Sequence, residues 1–261
     1  MPRYEEIAAE LREQITRGDY RAGDTLPRYE DLTTTYGVGR GVIASAIGLL
    51  EREGLVRPVK KRGLVVLDRP ERRRVMRGQT VTRDPDRGYV FPAASHAGEP
   101  WQLHGRAVAA RVPAPERVAE LLDIPVGTPT MRRHRVTSPA GEPPFQVVDT
   151  WISDAALADA PQAGEPSTGP GGYLDRLEES GHGPLTWTEH IRVRMPSAEE
   201  AAALEISAAM PVMETVIVGA SARDGSAVEV TTRAIPADRV ELVSPLSRDE
   251  SAAWPTQPVS A

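Results

Sequence analysis

Arg133, His134 and Arg135 form a run with clear chemical potential in this chain of 261 residues. In an extended strand, residues two apart share a face, so the two guanidiniums point together and His134 points away. Paired forks of N–H donors suit a carboxylate or a phosphate. The same spacing recurs at Glu229 and Thr231, and again at Trp187 and Glu189. Each has a plainer reading: a cross-strand ion-pair ladder for the arginines, a core position for Trp187. A second group of cations lies near the N-terminus: Arg28, Arg40 and the run Lys60-Lys61-Arg62. Arginine can pair bidentately with guanine, and clustered cations meet phosphates. The plainer reading here is a set of solvated surface charges.

Catalytic signatures are missing. The five histidines and the carboxylates show no His-Glu-x-x-His spacing, and there is no Gly-x-Ser-x-Gly turn or P-loop. Cysteine is absent, which excludes disulfides and thiol catalysis. No metal, cofactor or enzymatic activity is expected. No stretch approaches the roughly 20 apolar residues of a membrane span. The opening Met1-Pro2-Arg3-Tyr4 lacks the apolar run of a signal peptide. A cytoplasmic protein without a membrane partner is therefore expected.

The N-terminal cations need a scaffold, and the hydrophobic periodicity supplies one. Tyr4, Ile7, Ala8, Leu11 and Ile15 mark one face of a helix over residues 4–17. A short helix at 28–35 carries Leu32 inward. After the turn Tyr36-Gly37-Val38-Gly39, a third helix at about 40–53 buries Val42, Ile43, Ala46, Ile47, Leu49 and Leu50. Leu55-Val56-Arg57 and Leu64-Val65-Val66-Leu67 read as two short strands around a polar tip. Three helices and a hairpin make a winged helix-turn-helix. Such a module puts its third helix in the major groove and its wing on the backbone. That nominates Arg28, Tyr29, Arg40, Gly41 and Val42 on the helices, and Lys60, Lys61 and Arg62 at the wing.

Residues 68–82 include Arg72-Arg73-Arg74 and Arg77, carry no apolar period, and read as a polar linker. From 83 to 246, strands joined by hairpin-like turns alternate with short helices, which indicates an α+β domain with an antiparallel sheet. The stretch Asp159–Gly172, rich in Pro, Gly and Ser, is expected to be a surface loop. Residues 247–261 read as a flexible tail. Pro115–Leu121 with its following turn echoes Ser197–Leu204, which suggests a pseudo-repeat inside one domain. Charge divides along the same boundary. The first 80 residues hold 16 basic and 12 acidic side chains, and the rest hold 15 basic and 25 acidic. A basic head on an acidic body suits a DNA reader with a separate sensing domain.

Residues 4–67 resemble the N-terminal domain of the GntR family. The resemblance rests on Tyr4-Glu5-Glu6-Ile7-Ala8, Leu11-Arg12-Glu13-Gln14-Ile15, Gly23-Asp24-Thr25-Leu26-Pro27, Tyr36-Gly37-Val38 and Leu49-Leu50-Glu51-Arg52-Glu53-Gly54-Leu55-Val56. Residues 83–246 resemble the UTRA effector domain of the HutC subfamily. Here the matching stretches are Ala114-Pro115, Arg133-His134-Arg135, Gly169 through Glu189, and Ala237-Asp238-Arg239. The resemblance implies a chorismate-lyase-like α+β fold, a homodimer, and repression of a double-stranded DNA operator relieved by a small-molecule effector. It also sets Arg133, Arg135, Glu229 and Thr231 around the ligand pocket. Trp187 and Glu189 join them as ligand candidates on their shared strand face.

The chain departs from the family where the DNA is read. Arg28-Tyr29-Glu30 stands where Ser-Glu-Arg is usual, and Gly39-Arg40-Gly41-Val42-Ile43-Ala44 stands where Ser-Arg-Thr-Thr-Val-Arg is usual. Of three usual arginines only Arg40 remains, with Arg28 a substitute for one. An altered or weakened operator preference follows. The alternative function is a sensor or protein-interaction module with a degenerate head. A lyase-like enzyme is a further alternative, although fold likeness does not imply activity.

Overall fold

The computed structural model describes residues 2–59, 61–67, 72–77, 80–84, 88–92 and 99–252. The head contains α1 (Arg3–Arg17), α2 (Tyr29–Tyr36), α3 (Arg40–Arg52) and an antiparallel hairpin of β1 (Val56–Val59) and β2 (Gly63–Val66). The expected apolar periods are the buried ones: Ile7, Ala8 and Leu11 on α1 meet Ile43, Ala46, Ile47 and Leu50 on α3. Burying side chains of this size is worth about 1.5–3 kcal/mol each relative to exposure. Leu32, Val56, Leu64 and Val66 complete the core. Arg12 on α1 reaches Glu53 through Nε at 2.6 Å and Nη2 at 2.5 Å, a bidentate pair that ties α1 to the end of α3.

The stretch read as a linker holds a strand. β3 (Arg73–Met76) precedes a small hairpin of β4 (Thr82–Asp84) and β5 (Gly88–Val90). Then follow β6 (Trp101–Pro113), α4 (Glu116–Leu122), β7 (Pro129–Pro139), β8 (Gln146–Ile152), α5 (Asp154–Asp159), α6 (Gly172–Leu177), β9 (Thr186–Arg194), α7 (Ala198–Ala203), β10 (Val212–Ala220), β11 (Ala227–Pro236) and β12 (Val240–Val243). β3 pairs in parallel with β12, from Val240 opposite Arg73 to Val243 opposite Met76. Its arginines hid it from pattern reading. Each is neutralised by a distant partner: Arg73 by Glu99 and Glu142, Arg74 by Glu241. Only Val75 enters the core, against Phe145, Met213 and Ile235.

The main sheet has six antiparallel strands in the order β6-β7-β8-β11-β10-β9. The architecture is α+β, as expected. Alternation sorts its two faces. Trp151, Val216 and Val230 face α4, while Val136, Val147 and Val212 face the end of α7. On the other face lie α5, α6 and the β4–β5 hairpin, packed over Ile152 and Val228. The expected pseudo-repeat has a backbone signature. α4 and α7 each run into a non-glycine residue in the left-handed region, Asp123 and Glu205, both at φ 53°.

The stretch Asp159–Gly172 is exposed at most of its residues, as expected of a surface loop, but it includes a 3-10 turn at Pro161–Gly164 and buries several side chains. Ala163 is fully buried beneath Ile152 and Leu177, and Thr168 is also buried, because this chain closes one side of a cavity in the sheet. Of the expected tail, Glu250–Ala252 forms a short 3-10 turn, and 253–261 lie outside the described residues. No helix among the described residues is long and apolar enough to cross a membrane.

Candidate DNA-reading surface and effector pocket

Arg40 is the first residue of α3 and is exposed, as are Arg28 and Gly41. The Arg40 guanidinium carbon sits 5.6 Å from the centre of the Tyr29 ring, a cation–π contact between the first residues of α3 and α2. Tyr29 and Val42 are half-buried, both packed against the hydrophobic core of the head. A Cβ at Gly39 or Gly41 would meet nothing within 4 Å, so this corner presents an open approach to the backbone. At the wing, Lys61 is exposed in the left-handed region at φ 68°. Arg62 donates from Nη2 to the Gly23 carbonyl at 3.1 Å. Lys60 lies outside the described residues.

A cavity of about 220 Å³ opens on the sheet face opposite α4. Arg133 and Arg135 line it together, as their spacing demands, with Glu229 and Thr231 two strands away. Tyr89 and Phe91 from the β4–β5 hairpin, Thr168, and Tyr173 from α6 enclose it. The Arg133 guanidinium lies 5.2 Å from the Tyr173 ring centre. Its Nη2 donates to the Pro166 carbonyl at 3.4 Å, and its Nη1 has no partner among the described residues. Glu229 is fully buried. One of its oxygens accepts from the Thr231 hydroxyl at 2.8 Å and from the Tyr173 hydroxyl at 3.4 Å. The other, Oε1, has no partner among the described residues. Thr150 and Thr231 share a hydrogen bond of 3.0 Å. A Cβ on Gly219 would stand 2.9 Å from Glu229 Oε1, so the bare backbone there makes room for the carboxyl.

Trp187 and Glu189 are not brought into this cavity. Trp187 packs at 5.1 Å from Tyr89 and edge-on at 5.3 Å from Phe91, so it supports the roof from behind. Glu189 accepts from Arg77 Nη1 at 2.6 and 2.7 Å. Sequence reasoning passed over Arg233, Tyr173, Tyr89 and Phe91, all of which line the cavity. For Arg233 the signal existed, since it continues the alternation of Glu229 and Thr231. The roof residues alternate too, in Gly88-Tyr89-Val90-Phe91, but in a segment too short to read as a strand.

A larger cleft of about 1080 Å³ separates the head from the second domain. Arg57 on β1 spans it to the Glu205 carboxylate at 2.8 Å, and Arg73 and Arg74 on its wall are ion-paired, while Arg57 Nε and Asp238 Oδ1 are buried there without a partner among the described residues. The smaller cavity concentrates more of them in about a fifth of the volume, at Arg133 Nη1, Arg135 Nε, Arg233 Nε and Glu229 Oε1, as a ligand site would.

Burial pushes the Glu229 carboxyl up to about 7, against hydrogen bonds from Thr231 and Tyr173 that lower it. A carboxyl raised in the folded state binds its proton more tightly there than in the unfolded chain. Its contribution to stability is therefore present at low pH and lost as pH rises from about 4.5 through about 7, amounting to about 3 kcal/mol. Glu229→Gln should flatten that slope. In urea melts of both proteins at pH 5 and pH 8, the variant should gain relative stability at pH 8. Equal pH slopes would show that Glu229 is ionised without strain.

Comparison with known proteins agrees with this geometry. Residues 3–66 match the family described as bacterial regulatory proteins, gntR family, and residues 107–241 match the UTRA domain. An HTH-type transcriptional regulator of Rhizobium meliloti is 29% identical over 250 residues, 92% of this chain and 93% of its own. One from Streptomyces coelicolor is 28% identical over 213 residues, 79% and 78% of the two chains. Among solved structures, a GntR-family transcriptional regulator superposes with a TM-score of 0.57 at 26% identity, covering 95% of this chain and 99% of that one. With a helix-turn-helix head, a second domain of UTRA type and relatives that regulate transcription, the chain belongs to the GntR family and is a transcription regulator, not an enzyme.

Proposed function

We propose that this regulator is a homodimeric repressor that leaves an inverted-repeat operator when a small anionic effector enters the cavity at Arg133 and Arg135. The proposed division is a head over 1–67, a connecting segment over 68–82, an effector domain over 83–246 and a tail over 247–261. One observation carries the reading: the cavity's roof belongs to the chain segment that leaves the head. Tyr89 and Phe91 belong to the second half of the hairpin that follows β3, and Arg77, just past β3, is bound to Glu189 on the sheet. A ligand that moves the roof therefore pulls on the connection to the head. Two heads whose spacing changes no longer match two half-sites. Dimerisation is supported by edge strand β9, which leaves Ile191 and Val193 exposed, with Met195 just beyond it. Reading of the operator falls to Arg40, with Arg28, Tyr29, Gly41 and Val42 beside it and Lys60, Lys61 and Arg62 on the backbone.

The test is anisotropy of a duplex from the protein's own upstream intergenic DNA, against a scrambled duplex, at 50 and 200 mM salt. Selective binding that weakens about 10³-fold or more across that range, and is reversed by a small anionic metabolite, is the expected result. Equal, weak binding to both duplexes would favour a degenerate head instead. Selective binding that no anion in a metabolite panel releases would remove the effector assignment.

A further inference from the structure

Arg233 is the cavity residue with no role so far. The register puts it opposite Val148 on β8, and Val148 in turn opposite Arg135 on β7. With strands about 4.8 Å apart, Arg135 and Arg233 rise from backbones about 10 Å apart on one sheet face, and Arg133 lies two residues along from Arg135. Three guanidiniums thus converge on one small cavity. Arg133 Nη1, Arg135 Nε and Arg233 Nε are all buried without a partner among the described residues. The adjacent Arg77 is already held by Glu189. The one acid lining it among the described residues is Glu229, itself with a buried oxygen that has no partner among them.

Buried charge without counter-charge is costly, and among the described lining residues three guanidiniums face one carboxyl. Burial, with repulsion from Arg135, holds Arg133 below the ordinary arginine range, and burial does the same for Arg233 despite the attraction of Glu189, with Arg77 and Arg135 adding repulsion. A monoanion would satisfy the β7 pair and leave Arg233 unmatched. We infer that the cavity selects a small dianion, with Arg133 and Arg135 holding one part of its charge and Arg233 the other. Arg233 is then the residue that separates dianions from monoanions, and Glu229 Oε1 is the acceptor for a hydroxyl on the same ligand. This inference rests on the cavity being the effector site. The cavity's size restricts the ligand to a compact molecule.

Calorimetry on the full chain at pH 8, in an amine–chloride buffer, tests it with three probes: inorganic phosphate, succinate and acetate. Phosphate or succinate should bind about tenfold tighter than acetate or better. Arg233→Gln should erase that preference and leave acetate within about twofold, while Arg233→Lys, which restores the charge, should keep most of it. Arg133→Gln should weaken all three. Phosphate ahead of succinate identifies a phosphoryl group as the recognised unit, and the reverse order identifies a pair of carboxylates. Equal affinities for acetate and the dianions, or a preference that survives in Arg233→Gln, would overturn the inference while leaving the effector site in place. No binding of any probe, unaltered by Arg133→Gln, would overturn the site as well.

Discussion

Arg40→Ala should lower affinity for the operator by about 5- to 150-fold and leave binding to a scrambled duplex within a few-fold. A bidentate arginine–guanine contact is worth about 1–3 kcal/mol of discrimination. On α3 that contact has no understudy. Arg40 is the only cation on α3 before Arg52, and glycines flank it on both sides. Tyr29 contributes by holding the guanidinium at 5.6 Å before DNA arrives. An exposed cation–π contact is worth about 0.5–1 kcal/mol. Tyr29→Ala should therefore cost a few-fold in affinity, and nothing further once Arg40 is gone. Arg62→Ala should behave differently, since a phosphate contact reads no sequence. Its loss should weaken both duplexes alike and reduce the salt slope by about 1. Anisotropy titrations of the single and double variants separate these cases. Unchanged selectivity in Arg40→Ala would move base reading to another residue.

The second large effect is expected at Gly88. It adopts φ 78°, and a Cβ there would stand 1.7 Å from the carbonyl oxygen of Gly171, which is backbone and cannot swing away. Gly88→Ala should lift the β4–β5 hairpin off α6. The lift breaks the ion pair of Arg83 with Asp175 and the hydrogen bond of Tyr89 to Glu178. The cavity then loses Tyr89 and Phe91 from its lining, and Trp187 loses both ring neighbours. The expected result is a red-shifted tryptophan emission and an operator complex that no effector releases. Operator affinity itself should hold, because the head core shares no residue with the roof. Gly225→Ala is the control. It has a similar φ of 77° with nothing within 4 Å, so it carries only the left-handed cost of about 1 kcal/mol. If Gly88→Ala responds to effector as the parent does, the roof is not part of the switch.

The two sites differ in how far the sequence discloses them. Arg40 needed only a helix period, a preceding turn and a position count, all inside a window of about twenty residues. Arg133 and Arg135 needed only the two-residue period of a strand. Glu229 and Thr231 share a face for the same reason, and Arg233 continues the same alternation, a signal that was present but passed over. For Trp187 and Glu189 the period was right and the partner was not foreseeable. Their strand lies at the sheet edge, where the roof and Arg77 reach them first.

What the sequence by itself determined, then, was local. It set the head's helices and hairpin, the alternation of the sheet strands, the paired helix–turn–strand units and the facing of side chains two apart. Each follows from steric and hydrophobic periods that neighbouring residues impose on one another. Tertiary structure alone decided the rest. β3 is a strand because β12, more than 160 residues later, pairs with it and because distant carboxylates neutralise its arginines. Thr168 is buried because a Pro- and Gly-rich stretch closes the cavity. Three guanidiniums share one cavity because strand order sets β11 beside β8. Strand order and long-range ion pairing depend on which surfaces are left to bury once the local elements exist, and no local period encodes that.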